Sequence, residues 1–248
     1  MATSTDSTEY TKLTPYSLDR LVAVTRTDRE PSLRERQKRE THAVIAGAAE
    51  ALFVARGFHA VTVEEVARAA GVSRQTVFNH FPNQEDLVFD RAPEAEALMV
   101  AAVRTGIAGA GLVASFREMT RLFWSRMEAL PDPRPRGGFF DLVDASPALQ
   151  AYARDASSRA TARVAETIAD DIQADGDDLR PHVVAAALTS VYDAIFAAAQ
   201  RRIVAGEHPR RFLPGLLDQS DRAYDLLEAG IGRYPRTSKR AKRAGNRA

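Results

Sequence analysis

The sequence predicts an all-α protein: a three-helix unit containing a helix-turn-helix, followed by a larger helical bundle. Three observations carry this expectation. Apolar residues recur at helical spacing along most of the chain, Ser, Thr and Pro start signals and Gly stops bracket those runs, and no stretch sustains the alternation of a strand, a βαβ pattern or an internal repeat. With 248 residues, 45% hydrophobic and 27% charged, the chain can bury a substantial core. It contains no cysteine, which excludes disulfides, thiolate zinc sites and cysteine nucleophiles. No run approaches the ~18 apolar residues of a membrane span and the first residues carry no apolar leader, so a cytoplasmic protein without a membrane partner is expected.

Residues 1–31, polar with Pro15 and Pro31, read as a flexible arm. Helix one should open at Ser32, which has capping-box spacing to Glu35. Ile45, Ala48, Ala49, Leu52 and Phe53 form its apolar stripe, and Gly57 stops it. A second helix follows Thr62, with Glu65 in the capping position and Val63, Val66, Ala67 and Ala70 inward. Gly71 breaks it and Ser73 caps a third helix ending near Phe81-Pro82, so residues 62–81 form a helix-turn-helix inside a domain spanning 32–91. Asn83 with Asp86 is expected to start a fourth helix, bent or interrupted at Pro93.

Gly106 to Gly111 reads as a hinge, and long helices follow over about 112–130, 146–173, 179–205 and 214–232, with a short one near 139–144. Ser146-Pro147 gives an N-cap and a proline at the first helical position. The second, larger helical region is thus 92–234. The tail, 235–248, holds six cations and no anion and should be disordered.

Helical geometry separates the faces of the third helix. With Val77 and Phe81 inward, Gln75 and Asn79 face away, flanked by Thr76 and Phe78. An α-helix fits the major groove, where Gln and Asn pair with adenine and Arg74 with guanine. Solvated polar residues on a surface helix would have the same composition. Thr62 and Ser73 stand at helix starts, where amides and dipole favour phosphate, although both are also plain caps.

The block Arg39 to Val88 resembles the DNA-binding domain of the tetracycline-repressor-like (TetR) family of bacterial regulators. The likeness is carried by Leu52-Phe53, Gly57-Phe58, the Thr62 cap, Ala70 to Ser73 at the turn, and His80-Phe81. It implies a DNA-binding regulator, a repressor released from a palindromic operator by a small apolar effector, with no cofactor. It adds His80 as a backbone contact, and it places Phe78 and Gln84 where the family usually has tyrosine and lysine among the DNA contacts. Two phosphate contacts are thereby weakened, and the arm or tail is expected to compensate.

The resemblance also implies a homodimer through the last two long helices, with Val184, Leu188, Val191, Leu216, Ala223 and Leu227 at the interface; a core helix of a monomer would be equally apolar. Phe123, Trp124, Met127, Phe139, Phe140, Tyr152, Tyr192 and Phe196 are candidates to line the effector site, and an ordinary core would use the same side chains. The five histidines show no metal-ligand spacing, and no phosphate loop or nucleophile elbow is present, so neither a metal site nor an enzyme is expected. A ligand-independent architectural DNA binder is the alternative.

Overall fold

The computed structural model describes residues 32–128 and 138–234, with backbone only for 126–128. The expected arm, tail and Pro131–Arg136 break lie outside the described residues. All regular structure within them is helical.

Helices α1 (Leu33–Arg56), α2 (Val63–Ala69) and α3 (Arg74–His80) form the N-terminal head. Each begins at a hydroxyl residue. Ser32 Oγ accepts from the Glu35 amide at 3.3 Å while the Ser32 amide donates to the Glu35 carboxylate at 2.7 Å, and Thr62 and Glu65 repeat this box. Gly57 ends α1 at φ 82°, a conformation that costs a side-chain-bearing residue strain. Ile45, Ala49 and Phe53 of α1, Val66 of α2 and Val77 of α3 close on one another, with Phe81 behind them.

The next segment corrects the sequence reading. Asn83 does donate its amide to Asp86, at 2.8 Å, but this caps only a one-turn 3-10 helix, Glu85–Leu87. Leu87 and Val88 turn into the head core there. The long helix α4 (Ala92–Thr105) starts nine residues later with Pro93 in its first turn, so the proline opens the helix instead of bending it.

A wide π-type turn, Gly106–Ala110, joins α4 to α5 (Leu112–Glu128). A Cβ on buried Gly106 would stand 2.8 Å from the Leu112 Cα, so only glycine lets the two helices approach this closely. Then come α6 (Phe139–Ala145), α7 (Pro147–Ile172, capped by Ser146), α8 (Arg180–Val204) and α9 (Pro209–Ile231). Helix α9 begins before the expected Pro214: Pro209 takes the first position and His208 Nδ1 accepts from the Arg210 amide at 3.2 Å, while Pro214 sits within the helix.

In the bundle α8 lies against α7 and α9, α5 against α9, and α4 against α5 and α7. Arg117 and Arg121 of α5 pair with Asp225 and Asp221 of α9, and between them Thr120 and Tyr224 share a buried hydrogen bond of 2.8 Å. By length and composition alone α8 could cross a bilayer, with a mean hydropathy of 1.5. Here its apolar face closes the bundle core.

The head core is not closed by the head alone. Leu142 and Val143 of α6 and the fully buried Leu149 of α7 belong to the same cluster as Phe53, Phe58 and Val77. Two polar contacts cross the same seam, Ser146 Oγ to His59 Nε2 at 3.0 Å and the Tyr152 hydroxyl donating to Asp86.

Candidate nucleic-acid interface and regulatory core

Helix α3 presents its predicted outer face. Gln75 and Asn79 are exposed, Val77 is fully buried and Phe81 nearly so. Gln75 Nε2 donates to Asn79 Oδ1 at 3.0 Å, which aligns the two amides as one strip of donors and acceptors one turn apart. Arg74 lies 5.2 Å over the Phe78 ring and pairs with Glu64 of α2 at 2.9 Å. Phe78 is half-buried, so it acts as a shelf for the guanidinium rather than as a polar contact.

The two predicted phosphate caps differ. At Thr62 the amide and hydroxyl both donate to Glu65, whose carboxylate is also bound by Arg56 at 2.7 Å. The Arg56 guanidinium and the Thr62 donors hold that carboxyl down to about 2, so a fixed negative charge already occupies this helix start. At Ser73 the hydroxyl accepts from the Thr76 amide at 3.0 Å and shares a 2.8 Å bond with the Thr76 hydroxyl, with no acid in the first turn. Of the two, Ser73 with Thr76 is the start compatible with an anion.

Gln84 is turned away from the outer face. Its amide nitrogen donates to the Val61 carbonyl at 2.8 Å and to that of Phe58 at 3.4 Å, tying down the loop that enters α2. Its amide nitrogen is thus engaged within the head. His80 is half-buried, 5.9 Å from the His42 ring of α1, and burial together with nearby Lys38 lowers its proton affinity. Sequence reasoning missed the exposed first turns of α1, where Arg34, Arg36, Lys38 and Arg39 stand in sequence, with Lys38 close enough to act on His80. The run RERQK was the available signal.

In the regulatory region Phe123, Trp124, Phe140 and Tyr192 are buried, and with half-buried Phe139 and Phe196 they form a continuous aromatic cluster. Trp124 is 0% exposed, and its indole N–H has no acceptor among the described residues. The Met127 side chain lies outside the described residues. Of the remaining ligand candidates Phe139 and Phe196 border a cleft of about 290 Å³ beside the cluster; Phe123, Trp124, Phe140 and Tyr192 belong to the packed core, and Tyr152 is held at the seam by Asp86. Another cleft, of about 420 Å³, is lined by Phe53, Phe58 and Leu142 at that seam.

The predicted dimer positions face inward in this chain. Val184, Leu188, Val191 and Leu216 are buried in the chain's own core, and half-buried Ala223 and Leu227 pack against it. The outward faces are offset by one residue. On α8 Val183, Ala186, Ser190, Ala194 and Ala197 are exposed, and on α9 Leu226, Ala229 and Gly230. Val183 is 63% and Leu226 77% exposed.

Residues 45–90 match the family model described as bacterial regulatory proteins, tetR family, and residues 125–232 match that of the MftR C-terminal domain. The chain is similar to the HTH-type transcriptional regulator TcmR of Streptomyces glaucescens, 28% identical over 170 residues that cover 65% of this chain and 74% of that protein. Among solved structures it is similar to a TetR-family regulator of Mesorhizobium loti (18% identity, 77% of this chain and 96% of that one, TM-score 0.48). It is also similar to NalD of Pseudomonas aeruginosa, a repressor of a multidrug efflux pump (20%, 75% and 97%, TM-score 0.48), and to Thermus thermophilus FadR in complex with lauroyl-CoA (23%, 74% and 92%, TM-score 0.43). With a tetR-type reading head at one end and a regulator's C-terminal domain at the other, the chain belongs to the tetR family of bacterial transcriptional regulators.

Proposed function

We propose that the protein is a homodimeric, cytoplasmic repressor whose two α3 helices read a palindromic operator and whose regulatory helices bind a small, largely apolar effector that releases it. The observation that carries operator reading is the exposed Gln75–Asn79 amide strip on a helix whose opposite face is locked into the head core. Arg74, Ser73 and Thr76 flank it, and the α1 cations supply the backbone electrostatics that Phe78 and Gln84 do not. Effector binding is supported by the acceptor-less Trp124 indole, a buried donor that an unoccupied core would rarely leave unsatisfied. Dimerisation is best served by the exposed small-residue face of α8 with Val183 and Leu226, because small side chains let helices approach closely.

Selection of bound sites from random DNA tests the reading: two half-sites one helical turn apart, about 34–36 Å, are expected. Gln75→Ala and Asn79→Ala should each cost about 1–3 kcal/mol on the selected site and little on scrambled DNA. Equal losses on both would turn these residues into positioning contacts. Leu226→Asp should yield monomers in light scattering, whereas a dimer that persists would move the interface elsewhere.

A further inference from the structure

Asp193 is the only acidic residue of α8, set one residue after Tyr192 in the one described helix that is long and apolar enough to cross a membrane. It is half-buried, and its carboxylate accepts one hydrogen bond, from Ser157 Oγ of α7 at 2.7 Å. No lysine, arginine or histidine among the described residues forms an ion pair with it, and burial raises its proton affinity against the Ser157 bond. A carboxylate withdrawn from water without a counter-ion is costly, and such groups are retained where something else supplies the charge.

Asp193 lines the cleft of about 290 Å³, whose apolar wall is Phe89, Phe139 and Phe196. Phe139 meets Phe89 edge-to-face at 5.3 Å and Phe196 at 6.3 Å. Ring faces carry negative charge density and attract cations. The same aromatic row already holds one: the Arg159 guanidinium lies 5.3 Å over the Tyr152 ring, which is 5.1 Å from Phe89. The other formal charge on the lining is Arg154, which is exposed and screened by water, whereas Asp193 is not fully so. A cavity of about 150 Å³ admits benzene, so this cleft has room for a ring and a charged head.

We propose that this cleft binds a compact organic cation, an alkylammonium group carried on an aromatic ring, with Asp193 as its counter-ion and the three phenylalanines around its body. The inference rests on the effector reading above and names the chemistry of that effector. It also gives the effector a lever: Phe89 belongs to the segment between the head core and α4, so a cation seated against it presses on the seam that positions α3.

Three probes of one shape test it on the full chain: phenyltrimethylammonium, neutral tert-butylbenzene and anionic benzenesulfonate. Their binding is followed by calorimetry and by fluorescence of Trp124, the sole tryptophan, whose ring is 6.0 Å from that of Phe196. The cation should bind at least about tenfold more tightly than the neutral isostere, and the sulfonate should bind least. Asp193→Asn, which keeps the Ser157 bond, should erase the cation's advantage and leave the neutral probe unchanged. Equal affinity of cation and neutral probe in the native protein, preference for the sulfonate, or no binding at millimolar concentration overturns the site, and the first of these decides even if Asp193→Asn fails to fold. Operator affinity at saturating cation separates the two readings: a loss supports both, while unchanged operator binding with cation selectivity intact keeps the site and removes effector-driven release.

Discussion

The head and the regulatory bundle announce themselves in different ways. All three head helices begin at Ser or Thr with the hydroxyl bonded to the third amide, whereas α4, α6 and α8 begin with no side-chain cap. Caps are local and fix where a helix starts; burial is collective and fixes only that a helix exists. The head boundaries were therefore legible to within a residue. In the bundle α4 opens nine residues after the capping signal at Asn83, and α9 opens at a His208 cap that composition gives no reason to expect.

The same contrast governs the faces. On α3 the inward residues Val77 and Phe81 are apolar and the outward Gln75 and Asn79 are polar, so its buried and exposed faces could be named in advance. On α8 both faces are apolar, so composition does not separate the core side from the exposed side, and Val184, Leu188 and Val191 lie on the core side. The bonds of Gln84 were not legible for another reason: its carbonyl partners on Phe58 and Val61 are more than twenty residues away in sequence.

The largest test of this contrast is Leu149→Ala. Truncating a fully buried leucine should cost about 2–5 kcal/mol. Because Leu149 sits in the head cluster, amide exchange should accelerate in α1 to α3 as well as in α7. Loss of protection confined to α7 would show the head to be self-contained.

Asp90 offers a smaller test at the boundary. Burial pushes its carboxyl up to about 6, against the pull of Arg91 at 3.3 Å. Its folded value lies above the unfolded one of about 3.9, so its favourable contribution is complete below that pH and is lost as pH rises toward 6. Asp90→Asn should accordingly raise stability at pH 7.5 by about 1–2 kcal/mol and leave it unchanged at pH 3.5, read from urea midpoints. A pH-independent difference would mean that the carboxyl titrates normally. The smallest effect is expected at Ser32→Ala, about 0.5–1 kcal/mol, with faster exchange restricted to the first turn of α1.

The shared core under Leu142, Val143 and Leu149 also bears on how such a protein can be recombined. The match to the tetR-family model ends at residue 90, and a chimera joined there would carry all three head helices. Physically, that cut would leave Phe53, Phe58 and Val77 facing a surface belonging to another protein. A functional transplant of operator specificity onto a different sensor must therefore bring α6 and the first turn of α7 with it, or replace only the outward residues of α3 and leave the seam intact.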